Sequence, residues 1–438
     1  MRKRVAVFPA GSEIGLEINN ALKYSTHFEV YGLSSVPCHA SYVYSNYLEG
    51  IPFYTADNFI MELNHIIDEN KIDFIYPAYD DVLLYLTEVR DQIHARVVTS
   101  ELETVRICRS KEQTYRFLQD CDFVPFQYST MDQIQHFPVF VKPDVGQGSQ
   151  GALLVNNQHE LEFALEENPN LVICEYLPGE EYTIDCLTDY KGQLRVCRMR
   201  NRRRIRNGIS VSSERLPVPT EIYEIAEEIN RRMHFCGAWF FQMKRNTAGE
   251  FRMLEIAPRI AGTMGMSRNT GINYPLLTLF CQMRMPIDII ENDYSIEVDR
   301  ALVSRYRTNI EYDALYLDLD DTLIVNGGVN TVLMQYLYQT VNQGKKRILL
   351  TKHAREVSET LAVAKISETL FDEIIHLQPE EEKSDYIHEE KAIFIDDSFQ
   401  ERKKVSERCR IPVFDCSEVE ALIDWRIKLR KEYGRNAD

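Results

Sequence analysis

Three short apolar runs near the end of the chain each stop at side chains that a packed core does not tolerate. Ala314-Leu-Tyr-Leu317 runs into Asp318-Leu-Asp320-Asp321-Thr322, Arg347-Ile-Leu-Leu350 stops at Thr351, and Ala392-Ile-Phe-Ile395 stops at Asp396-Asp397. Read as strands, they deliver carboxylates and a hydroxyl to one pole of a sheet. Carboxylates gathered there lose hydration and repel one another, so a cation or protons must neutralise them. Packing alone does not explain three strands with such ends. Lys383, which follows Glu380-Glu381-Glu382, is a fourth chemical residue in the same stretch.

These four pieces resemble the motifs of the haloacid-dehalogenase (HAD) superfamily. The resemblance implies that Asp318 is a nucleophile that becomes an aspartyl phosphate. Asp320 then protonates the leaving group and activates water, the division into two steps expected of covalent catalysis. By the same resemblance Thr351 and Lys383 hold phosphoryl oxygens, and Mg²⁺ sits on Asp318, the Asp320 carbonyl and Asp397, with Asp396 close by. The second aspartate of the first motif favours a phosphohydrolase over a dehalogenase. Neither the Asp318-to-Thr351 gap nor the Lys383-to-Asp396 gap holds a large cap, so the implied unit, residues 312–438, is a small capless Rossmann-like domain. Its lid would come from the rest of the chain or from a large substrate. The tail from Val419 to Tyr433 is amphipathic and reads as a last helix, whose Arg426, Lys428, Arg430 and Lys431 suit a helix C-terminus.

A second feature lies far upstream. Val139-Phe-Val141 and Ala152-Leu-Leu-Val155 flank a loop holding Gly146, Gly148, Ser149 and Gly151, with Lys142 at the end of the first run. Glycines let the backbone approach a ligand, clustered N–H groups suit phosphate oxygens, and the lysine adds a point charge. An ordinary Gly-rich hairpin has the same pattern. The loop lacks the Gly-Lys-Ser/Thr of a Walker loop, and no G-x-G-x-x-G opens a helix here.

Around this loop the chain alternates. Val5 to Phe8, Phe28 to Leu33 and Phe74 to Pro77 read as strands, with helical periodicity at 59–67, which suggests a small parallel α/β sheet over residues 1–100. Gly11 and Gly15 permit a tight strand-to-helix turn, for packing or for a nucleotide. Asp80 and Asp81 end a strand, either facing a cleft or capping a helix. Ser110 reads as the cap of a helix opening at Lys111. Leu171-Val-Ile-Cys174 leads into Glu175-Tyr176-Leu177-Pro178-Gly179. Arg198, Arg200, Arg202, Arg204 and Arg206 alternate and would share one face of an extended backbone. Such a face needs anions opposite it, either bound phosphate and carboxylate groups or acids of the chain itself. Gly237 to Lys244 and Phe251 to Ala257 read as a hairpin with Gln242 and Glu255 near its ends, where their oxygens could share a cation with phosphates.

The Lys142 loop, the 175–185 segment and Leu254-Glu-Ile-Ala-Pro-Arg259 resemble the ATP-grasp superfamily, in the manner of carbamoyl-phosphate-synthase-like proteins. The resemblance implies a pre-ATP-grasp Rossmann-like domain at 1–100, whose first turn faces the acceptor site, and an α+β ATP-grasp domain at 101–300. It implies ATP contacts from Lys111, Lys142, Gly148 and Ser149. Residues Glu175, Tyr176 and Leu177 would meet the adenine edge, and Glu181 the ribose. Gln242 and Glu255 would bind Mg²⁺, and Arg259 phosphate. Arg202, Arg204 and Arg206 are the candidates for substrate anions. One departure stands out: the asparagine of the family signature is Ala257 here, which removes one oxygen ligand of a second metal.

Composition narrows the classes. A chain of 438 residues has room for about three domains. A net charge of −17 speaks against general nucleic-acid binding. Ten cysteines without C-x-x-C pairs read as reduced, cytoplasmic thiols. No apolar run nears the about 18 residues of a membrane helix, and the start is too short in apolar residues for a signal peptide. The expectation is an α/β bifunctional cytoplasmic enzyme. It joins a small-molecule carboxylate to an amine through an acyl phosphate, with ATP and Mg²⁺, and it dephosphorylates a related metabolite. Many relatives of the first part are dimers, so a homodimer is one assembly open to the chain, and the sequence itself does not decide the oligomeric state. The alternative is a ligand-binding module without ligase activity, serving the phosphatase as sensor or lid.

Overall fold

The computed structural model describes residues 2–146, 148, 150–206 and 208–426. The chain divides into two compact units, Met1–Leu302 and Val303–Asp438. All ten cysteines are free thiols. Among the described residues no helix is long and apolar enough to cross a membrane.

The first unit begins with a five-stranded parallel sheet in the order Asn46–Glu49, Phe28–Ser34, Lys3–Phe8, Phe74–Pro77, Arg96–Val97. Chain order reverses between Lys3–Phe8 and Phe74–Pro77, and a crevice opens outside the C-terminal ends of strands at such a point. After the first of them Ser12 caps the helix Glu13–Leu22 by accepting from the Gly15 amide at 2.9 Å. Gly15 serves packing: a Cβ there would lie 2.6 Å from the Ala10 carbonyl oxygen. After the second strand, Asp80 and Asp81 occupy the first turn of helix Asp80–Glu88.

The rest of this unit holds two antiparallel sheets. The smaller has the order Leu153–Val155, Val139–Pro143, Leu171–Glu175. The larger runs Arg204–Arg206, Ile209–Leu216, Leu194–Asn201, Glu181–Thr188, Gly237–Arg245, Phe251–Ala257, with Glu297–Asp299 on Ile209–Leu216. Strand alternation divides its faces. Tyr182, Ile184, Cys186, Trp239, Phe241 and Met243 enter one core together with Ile222, Ile225 and Ile229 of helix Thr220–Arg232. The intervening residues Thr183, Asp185, Phe240 and Gln242 take the other face. On either side of residue 100 the chain keeps a core of its own, Ala6 to Val97 and Tyr115 to Ile256, and a third core spans the two. Val5, Val7 and Phe74 share this third core with Ile260, Tyr274 and Ile287, and the pairs Glu13–Arg300, Glu17–Arg268 and Asp80–Arg259 tie the same parts.

The arginine run is not one extended face. The strand Leu194–Asn201 stops before Arg202, and Arg204–Arg206 is a separate hairpin strand. The anions opposite it belong to the chain: Glu291 for Arg198, Asp185 for Arg200, Glu181 for Arg202 and Asp299 for Arg204.

The second unit is a parallel sheet in the order Glu373–His376, Lys346–Thr351, Ala314–Leu317, Ala392–Ile395, Val413–Phe414. It is packed by helices Thr331–Gln343, Val357–Val363 and Phe399–Cys409, through buried residues such as Leu333, Leu361 and Val405. Of the closing helix expected over 419–433, the described part is a 3₁₀ turn, Cys416–Leu422, followed by non-helical residues up to Arg426, which pairs with Asp424. Lys428, Arg430 and Lys431 lie outside the described residues.

Candidate active sites

Between the two antiparallel sheets of the first unit lies a cavity of about 140 Å³. Lys111, Lys142 and Gly148 line it together with Glu175, Leu177 and Glu181, and so do Arg202, Gln242 and Glu255. Tyr176 is half-buried and does not line the cavity, and Ser149 is outside the described residues. Phe140, Cys174, Leu177 and Leu254 give it an apolar floor.

Lys142 is 7% exposed. Its Nζ donates to Tyr115 Oη at 2.6 Å and to the Leu254 carbonyl at 3.2 Å. Among the described residues no carboxylate pairs with it. Burial pushes its pKa down, against weaker support from neighbouring acids. Cys174, its titratable neighbour, is itself pushed up by burial and carries no charge near neutral pH. Lys111 opens its helix behind Ser110, as the capping pattern implies, and donates to the Asp144 carbonyl at 3.2 Å. Burial pushes Lys111 down too. Gln242 and Glu255 stand directly opposite each other in the hairpin register, so a carboxamide and a carboxylate oxygen face one cavity wall. These hard oxygen donors suit Mg²⁺ completed by phosphates and water.

A second cavity, about 420 Å³, adjoins the first and shares Lys111, Arg202, Gln242 and Glu255 with it. It reaches the crevice of the parallel sheet at Ser12, Glu13 and Asp80. Arg259 lines it but is not a free cation. Its Nε and Nη2 donate to Asp80 at 2.6 and 2.7 Å. Burial works to raise Asp80, yet the guanidinium overrides it and holds the carboxyl below the usual range. Asp81 is likewise paired with Arg109. Ala257 also lines this cavity. Of the three arginines expected to meet substrate, Arg202 does line both cavities, whereas Arg204 and Arg206 are exposed on the hairpin and line neither.

In the second unit the strand ends converge. Lys383 Nζ donates to Asp318 Oδ1 and to Asp396 Oδ2, both at 2.6 Å, and all three residues are buried. Burial raises the carboxyl of Asp396 to about 6, with Lys383 opposing and Asp318 adding to the rise. Burial raises Asp318 as well, against Lys383. Burial works to lower Lys383, but the two carboxylates prevail and hold it above the usual lysine range. Asp318, Asp396 and Asp397 can each bring one oxygen within 4.8 Å of the others, a hard donor set that fits Mg²⁺. The Thr351 hydroxyl lies beside Asp318 but makes no hydrogen bond of good geometry. Two partners escaped the sequence reading. His353 Nδ1 meets Asp320 Oδ2 at 2.8 Å while its Nε2 meets Thr360 Oγ1 at 2.7 Å, and Thr322 Oγ1 lies 3.3 Å from Asp397 Oδ1. Their signal was adjacency, His353 two residues beyond Thr351 and Thr322 within the first acidic motif.

Residues 167–303 match a family described as ATP-grasp in the biosynthetic pathway with Ter operon. A D-alanine–D-alanine ligase of Fusobacterium nucleatum is 33% identical over 82 residues, 18% of this chain and 29% of that protein. The chain matches only about a third of the length of such curated relatives. Biotin carboxylase of Campylobacter jejuni, solved as a β,γ-ATP complex, superposes with a TM-score of 0.55 at 13% identity, over 67% of this chain and 74% of that one. An L-amino acid ligase of Bacillus licheniformis gives 0.52 at 16% identity, over 66% and 75%. The family match is confined to residues 167–303, and the likenesses to solved structures show an ATP-grasp-like α/β fold over about two thirds of the chain.

Proposed function

We propose that the first unit is an ATP-dependent carboxylate–amine ligase and that the second is a Mg²⁺-dependent phosphohydrolase of the HAD type, so that one chain carries two activities. The observation that carries the first half is Lys142, a buried lysine without a carboxylate partner among the described residues, in a cavity whose opposite wall presents Gln242 and Glu255. A cavity of this kind is completed by an anion that brings its own cation. The ligases among the similar proteins support the reaction class.

In this reading the apolar floor takes the adenine, Glu181 accepts from the ribose, and Lys142 with Lys111 holds phosphate oxygens. A substrate carboxylate oxygen attacks the γ-phosphorus and the bond to the β-phosphate oxygen breaks, giving ADP and an acyl phosphate. The amine then attacks the acyl carbon, phosphate leaves, and the amine loses a proton. Gln242 and Glu255 would hold Mg²⁺, which when bound screens the repulsion between the two anions. In the second unit the Asp318 carboxylate attacks a phosphoryl group while Thr351 and Lys383 hold its oxygens. Asp320, oriented by His353, gives a proton to the leaving oxygen and later takes one from the attacking water. Asp318, Asp396 and Asp397 would hold the Mg²⁺ of this site. The phosphatase substrate is expected to be a phosphorylated form of the ligase's substrate or product.

A second reading has the first unit bind nucleotide without ligation. Two observations favour it: Ala257 offers no side-chain oxygen, and Arg259 is occupied by Asp80. One experiment separates the two. ADP and phosphate release are measured with Mg-ATP and a panel of amino acids for wild type, Glu255→Ala and Asp318→Asn. Amino-acid-dependent ADP release that is lost in Glu255→Ala and kept in Asp318→Asn establishes the ligase. Phosphate release independent of any amino acid, and abolished only by Asp318→Asn, leaves the binding module.

A further inference from the structure

The wall of the larger cavity includes a buried arginine with a hydrogen-bond donor that the chain does not satisfy. Arg200 is 3% exposed and lines this cavity. Its Nε and Nη2 donate to the two oxygens of buried Asp185 at 2.8 and 3.2 Å. That side-on pair leaves Nη1, which is buried and has no hydrogen-bond partner. Thr183, fully buried on the next strand and not itself a lining residue of the cavity, also has an Oγ1 without a partner. The two are directly opposite each other in the register, and so share a face of the sheet.

The register extends further. Thr183 also stands opposite Gln242, and Gln242 opposite Glu255. One row across four strands therefore reads Glu255, Gln242, Thr183, Arg200. With strands about 4.8 Å apart, the backbone of Arg200 is roughly 14 Å from that of Glu255. The cation-binding end and the arginine end thus stand on one face of the sheet, at a separation that a small molecule can bridge.

The charges around the cavity say which kind of group is missing. Of its carboxylates, Glu13 is paired with Arg300 and Asp80 with Arg259, while Glu255 faces the expected cation. The unanswered groups are the Arg200 Nη1 on this wall and the hydroxyl of Thr183, its register neighbour, both able to donate. A ligand that completes them presents acceptors. We infer that Arg200 and Thr183 form a subsite for a free carboxylate of the small-molecule substrate, distinct from the carboxylate that is phosphorylated. This rests on the ligase reading of the same cavity and deepens it. That carboxylate belongs either to the amine partner, which is then an amino acid, or to an acid with a second carboxylate.

The test uses the full-length chain with Mg-ATP and the standard L-amino acids, D-alanine, succinate and the corresponding carboxamides. Arg200→Lys keeps a cation for Asp185 and removes the planar fork. Thr183→Val removes the hydroxyl and leaves the Arg200–Asp185 pair intact. ADP binding, followed by calorimetry, monitors the nucleotide site independently. The expected result is a KM for the carboxylate-bearing probe that rises at least about tenfold in Arg200→Lys, with ADP affinity unchanged and the preference for acid over amide reduced by the same factor. Thr183→Val shifts the same KM in the same direction and decides the matter if Arg200→Lys fails to fold. Varying one substrate with the other saturating shows whether the shift falls on the amine or on the acid. Unchanged KM values in a variant that folds overturn the subsite and leave ordered water as the partner of these donors. A wild type that binds ADP and responds to no carboxylate overturns the subsite together with the ligase.

Discussion

Lys142 and Lys383 are both buried lysines at the centre of a proposed phosphate site, and they are held in opposite ways. Lys142 has a phenol and a carbonyl oxygen for partners, and burial lowers its pKa. Lys383 is clamped between two carboxylates, which hold its pKa up against burial. The first site has an open demand for negative charge, which an arriving polyphosphate meets. The second has an excess of carboxylate over ammonium, which a divalent cation meets. In the proposed reading the same side chain serves binding in one unit and structure as well as chemistry in the other.

The largest expected effect tests that division. Lys383→Met leaves Asp318 and Asp396 buried side by side without their cation. Breaking a buried ion pair from one side costs about 3–5 kcal/mol. Urea unfolding followed by hydrogen-exchange mass spectrometry, in chelator, reads the two units separately, and the midpoint of the second unit should fall steeply. Adding Asp396→Asn should restore most of it. Lys142→Met should move the first unit by no more than about 1.5 kcal/mol, because a side chain of similar length replaces an ammonium that lacked a counter-ion. Equal losses in the two units would erase the contrast.

Affinity should show the reverse. Lys142→Met removes a charge-assisted contact to phosphate, worth roughly 1.5–3 kcal/mol, so ATP and ADP should bind about 10- to 150-fold more weakly by calorimetry. Wild-type affinity in this variant would mean that the buried ammonium does not face the nucleotide.

The two regions also differ in how much the sequence discloses. The acids and hydroxyl at 318, 351 and 396 lie at the ends of three apolar strands, and a parallel sheet must bring such ends together, so this cluster is legible without a structure. The Gln242–Glu255 pairing is legible for a similar reason, since a short hairpin fixes its own register. Arg204 and Arg206 misled because period two holds only while the backbone stays extended, and the strand ends at Asn201. The Asp80–Arg259 pair and the orphaned Arg200 were beyond reach. The first joins residues 179 apart in the chain, which local spacing cannot pair. Asp185 lies only 15 residues before Arg200 on the strand paired with it, but spacing does not say which guanidinium nitrogen that carboxylate leaves unmet. The shared core of Val5 and Ile260 was hidden for the same reason as the Asp80–Arg259 pair.

The contrast should appear as pH dependence too. With its folded pKa depressed, Lys142 loses its proton in the native protein while the unfolded chain still holds one. Across that window the ligand-free first unit gains stability as pH rises, and the gain is lost as pH falls through the native value. If Lys142 holds nucleotide phosphates as proposed, they pull its pKa back up, and nucleotide binding takes up a proton and weakens with rising pH. Calorimetry in buffers of different ionisation enthalpy should show uptake approaching about one proton per nucleotide on the alkaline side, and none in Lys142→Met. Lys383, held above the ordinary lysine value, should contribute no such slope over the same range.

The smallest expected effect concerns Ala257, which bears on whether the first site resembles the second in its hunger for cations. Ala257 follows Glu255 at the two-residue spacing that shares a strand face, is 7% exposed, and lines the larger cavity opposite Phe240 in the hairpin register. Ala257→Asn would add a neutral oxygen beside the Glu255 carboxylate at some expense in crowding against the Phe240 ring. Because Mg²⁺ affinity follows the number of oxygens a site supplies, half-maximal ADP release should require roughly two- to five-fold less Mg²⁺ in the variant. An unchanged requirement would mean that water already fills this position and that Gln242 and Glu255 suffice. The first site would then depend on its substrate for coordination, as its lysine depends on its substrate for charge.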